Sequence, residues 1–594
     1  QEKTKIINDG INKEGAFYLF ALRLIPLFPF FLINLVMGLT KIRTVTFAVV
    51  SLFGMMPGTL VYVYAGTKLG NINQVSDILS LDLFFAFALI GIFPFIAKWF
   101  ILIMKKRSLY KNFEKPKSFD YNMVVIGAGA GGLVSSYIAS AVKAKVALIE
   151  KDKMGGDCLN TGCVPSKALI KSAKIMTLSK NAKKYGFDKI ETSFEFSKII
   201  ARVQNVIKKI EPHDSVDRYE KLGVDCVSGD AEIIDPYRVK VNNKTLTTKN
   251  IVIATGASPL VPPIPGLDKI DYLTSDNLWQ LKELPKRFLV LGGGPIGCEL
   301  SSAFARLGSS VTQIEMMPQI LIREDEEVVE LVTEKFKSEN INVLTGHKAK
   351  EFKTIDGKKY LICDVGEKEV KIEFDEVLVA LGRKARVSGF GLEKLNVKLT
   401  PRGTIETNDF LQTNYPNIYA VGDVVGPYQF THTAAHQAWY AAVNSLFGRF
   451  KKFKVDYGVI PWTTFTDPEI ARVGLNEKDA KAQNIAYEVT KFDISELDRA
   501  ITESEDFGFI KVLTVPKKDK ILGVTIVSHN AGEMLAEFVL AMKHNLGLNK
   551  ILGTIHSYPT YMEANKYVAG QWKNNHTSKR TLNFLKKFHQ WERK

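Results

Sequence analysis

Cysteine is scarce: five in 594 residues, at positions 158, 163, 226, 298 and 363. So few cannot staple a chain of this length, which excludes a disulfide-framework protein and points to a reducing compartment. In such a compartment a close pair is more often redox-active or metal-bound than structural. Acidic residues are outnumbered, 63 against 79 Lys and Arg, for a net charge of +16. The surplus is uneven, gathered in a linker and a C-terminal tail, and no nucleic-acid motif accompanies it. The first residue is Gln rather than Met. This suggests that the natural N-terminus lies upstream, so that no signal peptide can be judged. What the chain has in quantity is length for three to five domains and 46% hydrophobic residues.

Much of that apolar content sits in the first hundred residues. Three runs, Gly15–Gly38, Thr44–Ala65 and Leu81–Met104, are each long enough to cross a hydrocarbon core of roughly 30 Å. Arg23, Pro26, Pro29 and Pro57 interrupt the first two, as in helices that re-enter or kink inside protein. Lys105, Lys106 and Arg107 follow the third run, so the positive-inside rule places the rest of the chain in the cytoplasm. Arg23 inside an apolar run is either functional or a snorkelling cap. The pattern LRLIPLFPF followed by FGMMPGTLVYVYAG resembles the DedA-like (SNARE-associated) membrane family over about residues 10–105. The matching positions are Arg23, Pro26, Pro29, Gly54, Pro57 and Gly66. The resemblance implies lipid or small-solute movement across a bilayer.

After a basic linker, the strand YNMVVIGAG runs into GAGAGG and a helix. Gly127, Gly129 and Gly132 have the G-x-G-x-x-G spacing, which permits a tight turn, close approach of a pyrophosphate, and close helix–strand packing. Glu150 ends the next strand, where it can bond a ribose hydroxyl. The unit recurs at RFLVLGGGPIGCELSSAFARLGSSVTQIE, with Gly292, Gly294, Gly297 and Glu315. Two dinucleotide sites on one chain suggest electrons passing between two cofactors. Glu315 would repel a 2′-phosphate, which favours NADH over NADPH, although Arg323 lies eight residues on. IVIATGASP, VLVALGR and TNYPNIYAVGD supply further strands, and Asp423 closes the last at a Gly-Asp pair suited to a cofactor's sugar-like chain.

Between the two units lies GGDCLNTGCVPSK, residues 155–167. A helix reading from about Cys163 puts its dipole and Lys167 near that thiol, which lowers a thiol pKa. Half of a zinc site is the competing reading, disfavoured because no second cysteine or histidine pair is expected at ligand spacing. With this motif the chain resembles the class I pyridine nucleotide–disulfide oxidoreductases over residues 119–575, a family that includes lipoamide dehydrogenase, glutathione reductase and mercuric reductase. The resemblance implies FAD at the first site, held by Gly127, Gly129, Gly132, Glu150, Lys167, Gly256 and Asp423. It implies NAD(P)H at the second, held by Gly292, Gly294, Gly297, Glu315 and Gly382. It also implies a Cys158–Cys163 redox disulfide, with Cys163 against the flavin, Cys158 facing the substrate, and Lys167 paired with Glu299. Cys226, Cys298 and Cys363 are then buried bystanders.

Residues from about Asp456 to Trp572 match that family's interface domain, which implies a head-to-tail homodimer. There the sequence departs. Dithiol-using relatives place a histidine base before a proline, with a glutamate five positions on; here Tyr558 takes that place, followed by Pro559, and Glu563 keeps the glutamate position. A tyrosine with a pKa of about 10 is a poor base near pH 7. His556, two residues earlier, is either a substitute or a structural histidine. Mercuric reductases also lack that histidine, but they deliver metal through a C-terminal cysteine pair that is absent here. The tail places Phe584, Leu585, Phe588 and Trp591 among Lys586, Lys587, Arg593 and Lys594, which suits an interfacial amphipathic helix, a packing helix or a frayed end.

The expected fold class is α/β: two Rossmann-like FAD and NAD(P) domains plus an α+β dimerisation domain, preceded by an all-α transmembrane domain. Expected boundaries are 1–110 for the membrane domain, 119–270 with 384–455 for FAD, 271–383 for NAD(P), 456–575 for the interface, and 576–594 for the tail. The expected protein is a multi-pass membrane homodimer in contact with lipid. It carries a cytoplasmic FAD-dependent NAD(P)H oxidoreductase that passes electrons to a disulfide, a metal or another small-molecule acceptor, with no metal cofactor. The alternatives are mercuric reductase-type metal reduction, a lipid or solute transporter with a redox-regulatory flavoprotein, and a redox sensor without turnover.

Overall fold

The computed structural model describes residues 16–24, 29–38, 40, 42–70 and 81–594. Pro26, Gly15 and the upstream part of the membrane segment lie outside the described residues, as do the side chains of Lys105 and Lys106. The chain divides into two compact units, Gln1–Lys115 and Pro116–Lys594.

The first unit is helical. Helices Ala16–Leu24 and Phe30–Gly38 divide the first apolar run. Helix Thr44–Gly70 runs on through Pro57, and Leu81–Tyr110 through Pro94. Thr44–Gly70 and Phe84–Ile101 are long and apolar enough to cross a bilayer, and only 11% and 17% of their apolar windows are buried. Core helices of a soluble protein would be mostly covered; these expose Val45, Leu81 and Phe95 almost fully, as lipid-facing side chains would be. Arg23 is buried at the helical contact. Its Nε donates to Ser51 Oγ at 3.1 Å, its Nη2 donates to Asn34, and its guanidinium lies 5.3 Å from the Phe47 ring centroid. Gly54 permits this approach, because an added Cβ would stand 2.7 Å from Arg23 Cβ.

The second unit contains two parallel sheets built on one plan. In the first, strand Met123–Ile126 lies between Val146–Glu150 and Ile251–Ile253, with Val224–Ser228 and Ile418–Ala420 at the edges. In the second, Arg287–Leu291 lies between Ser310–Glu315 and Glu376–Val379, with Asn342–Thr345 at one edge. Met123–Ile126 is buried throughout and Arg287–Leu291 from Phe288 onward, as strands covered on both faces require. Each repeat also carries a three-stranded antiparallel insert, at 231–247 and at 348–374. Helices Ala130–Ala141 and Pro295–Leu307 follow the two central strands. The C-terminal part is a five-stranded antiparallel sheet, covered by helices Ala531–Lys543 and Glu563–Asn575. Its core includes Phe538, Met534, Val568 and Trp572. Helix Lys579–Glu592 ends the chain.

Candidate active site

The two glycine loops have the same construction. At Gly127 φ is +99°, and at Gly292 it is +112°, both left-handed values that favour glycine. A Cβ on Gly132 would stand 1.7 Å from Gly127 O, and one on Gly297 2.2 Å from Gly292 O. These third glycines therefore let each helix press onto its strand. The middle glycines face space: a Cβ on Gly129 meets only Gly156 Cα, at 3.9 Å, and one on Gly294 meets nothing within 4 Å. A pyrophosphate can thus approach both helix N-termini. Glu150 accepts from the N–H groups of Ala128 at 2.6 Å and of Lys151 and Asp152 at 2.9 Å. Glu315 accepts from Gly293 and Met317, both at 2.7 Å. Both carboxylates are thus fixed at the strand ends beside the loops. The residues present fit two dinucleotides.

The cysteine pair is set by a change of direction between two helices. Gly155 and Gly156 have φ of +86° and +56°, and lead into a short helix, Gly156–Asn160, that carries Cys158. Thr161 and Gly162 turn the chain, with both N–H groups bonded to Asp157 O. Cys163 then opens helix Cys163–Lys180. Both residues are free thiols here, and each shifts the ionisation of the other. Cys163 Sγ also lies 3.6 Å from Oγ1 of Thr431, the first residue of helix Thr431–Phe447. The neighbouring Cys158 thiol, the Thr431 hydroxyl and the Lys167 charge hold the Cys163 thiol below its ordinary range. Cys158, beside Cys163 and partly buried, is pushed up. The charge of the reduced pair is therefore favoured on Cys163, at the helix start beside Thr431 and Lys167.

One helical turn on, Lys167 Nζ lies 2.7 Å from Glu299 Oε2 and 4.3 Å from the Phe465 ring centroid. Glu299 Oε1 accepts from Phe465 N at 2.9 Å. Lys167 and Glu299 thus join the cysteine helix to the helix of the second dinucleotide unit and to the C-terminal sheet. On the other side, Arg383 bonds Asp157, and its Nε lies 3.5 Å from Asp423 Oδ2 without completing a hydrogen bond. Burial pushes the Asp423 carboxyl up to about 6 against the pull of Arg383. Gly256 and Gly382 have φ of +68° and +118°, with no atom within 4 Å of an added Cβ. Sequence reasoning missed Thr431, Phe465 and Arg383, which only long-range packing brings to the motif, and Asp157, which lies within the motif and pairs with Arg383. Cys298 and Cys363 are buried, but Cys226 is half-buried.

The C-terminal candidates are spread apart in their bonding. His556 is nearly covered, with Nδ1 3.1 Å from Thr554 O and Nε2 3.0 Å from Glu537 Oε1. Tyr558 is 68% exposed and donates to Asp498 at 3.0 Å, which pushes its hydroxyl pKa above the usual value. Glu563 accepts from Thr560 N–H at 3.3 Å and from the Tyr567 hydroxyl at 3.4 Å. None of these bonds reaches the cysteine pair. His432 and His436 stand at i, i+4, a ligand spacing, but each places Nε2 on a carbonyl, of Pro461 and of Asp456. Among the described residues, Asp467, Glu505 and His529 offer atoms within 4.8 Å of one another. Lys174 Nζ already lies 2.9 Å from His529 Nδ1, and Arg306 lies 3.0 Å from Asp467, so cationic side chains occupy that group.

Comparison with known proteins agrees with this arrangement. A family model for pyridine nucleotide-disulphide oxidoreductases matches residues 121–438, and that family's dimerisation domain matches residues 460–569. A VTT domain model matches residues 1–68. The chain is 34% identical over 451 residues to a mercuric reductase of Staphylococcus aureus, covering 76% of this chain and 82% of that one. It is 35% identical over 449 residues to a dihydrolipoyl dehydrogenase of Chlamydia muridarum, covering 75% of this chain and 95% of that one. Among solved structures, the HOCl-induced flavoprotein disulfide reductase RclA from Escherichia coli superposes with a TM-score of 0.68 at 25% identity, covering 76% of this chain and 99% of that one. A Cu(II) complex of RclA superposes with a TM-score of 0.67.

Proposed function

The chain belongs to the pyridine nucleotide-disulphide oxidoreductase family, FAD-dependent enzymes that use NAD(P)H, and from that premise we propose that Cys158 and Cys163 carry electron pairs to a small thiol-reactive acceptor. The observation that carries this reading is the cysteine pair at the start of helix Cys163–Lys180, with Cys163 Sγ 3.6 Å from Thr431 Oγ1 and with Lys167–Glu299 tying the helix to the second dinucleotide unit. Bound FAD supplies two-electron exchange between a nicotinamide and a disulfide. The chain's own residues then do the rest. Cys163, at a helix start with Thr431 and Lys167 beside it, holds the negative charge of the reduced pair. Cys158 gives up its proton and attacks a disulfide acceptor, forming a mixed disulfide and releasing one thiol. The Cys163 thiolate then attacks Cys158 Sγ, closing the Cys158–Cys163 bond and expelling the second product as a thiolate that takes its proton from water. Once Cys158 has also lost its proton the two sulfurs are soft ligands, so a thiophilic metal ion is the other acceptor class. The mercuric reductase likeness and the Cu(II) complex of RclA support that class. Tyr558 in place of a base weighs against lipoamide-type dithiols.

Glu315, held at the end of its strand by two backbone N–H groups, favours NADH, since a 2′-phosphate would meet a fixed carboxylate. The dimerisation-domain match supports a homodimer. The exposed apolar helices and the VTT match support a multi-pass membrane anchor, with the basic residues after Met104 keeping the enzyme cytoplasmic. The VTT match also carries a second reading, a transporter regulated by the flavoprotein; solute or lipid movement in proteoliposomes that changes with NADH would favour it.

The deciding experiment is an anaerobic NADH titration of purified protein, followed by an acceptor screen. A long-wavelength absorbance band is expected in the wild type and in Cys158→Ser, but not in Cys163→Ser. Both variants should lose acceptor turnover by about two orders of magnitude or more. Full turnover in Cys158→Ser would sink the proposal.

A further inference from the structure

Helix Lys579–Glu592 is fourteen residues long, and none of its residues is buried. It leaves the packed helix Glu563–Asn575 through a fixed joint: His576 stacks on Trp572 at 4.2 Å, and its Nε2 lies 2.8 Å from Glu488. Beyond Ser578 its contacts are with itself, such as Phe588 with Trp591 at 6.1 Å between ring centroids and His589 with Glu592 at 2.9 Å. At about 100° per residue, Leu582, Phe584, Leu585, Phe588 and Trp591 share one half of the helix surface. Lys579, Arg580, Asn583, Lys586, Lys587 and Gln590 share the other half. Phe584 and Trp591 are 68% and 71% exposed. An ordered helix that bares two large aromatic side chains to water lacks its covering surface.

We propose that this helix lies in the plane of an anionic lipid surface. Charge decides between occupants. Residues 579–594 carry six Lys and Arg and a single acid, Glu592. Pairing with the same helix of a second copy would bring two such strips together, whereas anionic headgroups attract each basic residue. Phe, Leu and Trp on the opposite half suit the boundary between headgroups and acyl chains. A bilayer is also the surface that the spans Thr44–Gly70 and Phe84–Ile101 would keep within reach, at high effective concentration. The tail's chemistry does not depend on those spans.

The test uses the full chain in nanodiscs of phosphatidylcholine, with or without phosphatidylglycerol as the minor lipid. Amide exchange across 579–592 should slow by about tenfold or more with the anionic lipid, equivalent to about 1.4 kcal/mol. Brominated lipid should quench Trp591 emission, read as the difference between wild type and Trp591→Phe. Lys586→Glu/Lys587→Glu should abolish both effects while NADH oxidation is unchanged. Equal exchange in the two lipids would overturn the proposal. So would protection that persists in detergent, which would mean that protein covers the helix.

Discussion

At the scale of single residues, the site turns on where one proton sits. Its favoured place is Cys158, because the neighbouring thiol, the Thr431 hydroxyl and Lys167 all favour the charged form at Cys163. A thiol with its pKa lowered is ionised at pH values where an ordinary thiol is neutral, so its alkylation begins at lower pH. Iodoacetamide labelling of Cys163 in reduced Cys158→Ser should therefore inflect below the ordinary thiol value of about 8.5. Cys158→Ala, which removes that neighbour, should move the inflection up, and so should Thr431→Val. Cys226 interferes little, since burial raises its thiol to about 11. An inflection near 8.5 in all three variants would remove the physical basis for the assignment. Tyr558 is the opposite case. Asp498 raises its hydroxyl pKa, so it stays protonated through neutral pH and cannot accept a proton there. Tyr558→Phe should leave the pH profile of acceptor turnover in place; loss of an alkaline limb would show that Tyr558 titrates in catalysis.

At the scale of elements, each strand–glycine–helix unit separates a packing role from a binding role. Gly132 supports packing: any Cβ there collides with Gly127 O, and backbone cannot move aside cheaply. Gly132→Ala should yield protein without FAD and with a markedly lower Tm. Gly294 faces space, so Gly294→Ala should fold with an unchanged Tm. Its methyl group would instead crowd the approach to the second helix N-terminus, raising KM for NADH by about tenfold, or about 1.4 kcal/mol. An unchanged KM, measured by steady-state NADH oxidation, would place the dinucleotide elsewhere. These units were legible in the sequence because strand, glycines, helix and acid lie within thirty-odd residues of one another. The helix starting at Cys163 was legible for the same reason. Thr431 was not: it stands 268 positions from Cys163 and reaches it only when helix Thr431–Phe447 packs beside the first dinucleotide unit. Arg383 and Phe465 escaped for that reason too. The inserts at 231–247 and 348–374 are also repeated, but their alternation is too ordinary to stand out from other short strands.

At the scale of the whole enzyme unit, the second dinucleotide domain is fastened to the C-terminal sheet by buried charge. Lys511, 1% exposed on the central part of that sheet, reaches Asp325 at 2.6 Å, Glu327 at 2.5 Å and Glu477 at 3.0 Å. Arg306 spans the same boundary, bonding Glu339 at 2.6 Å and Asp467 at 3.0 Å. Burial alone would raise the carboxyls of Asp325 and Glu327, but the Lys511 ammonium outweighs it and holds both below the usual carboxylate range. Acids depressed in the folded state contribute stability that is fully present above their unfolded pKa, about 4, and lost as pH falls through the folded values. The boundary should therefore open in acid, with amide exchange rising along Phe509–Thr514 below about pH 4. Removing Lys511 leaves the buried Asp325 carboxylate with no cation, while Glu327 keeps Lys491; deleting one partner of a buried pair costs about 3–5 kcal/mol. Lys511→Met should lower Tm at neutral pH by several degrees. It should also shift the remaining acid transition, because carboxyls freed from the ammonium titrate at higher pH. Lys350→Ala, which cuts an exposed pair with Asp364 and Glu369, is the control and should leave both readings unchanged. If Lys511→Met matched that control, the domain boundary would be held by apolar packing, and the charges would set only its alignment.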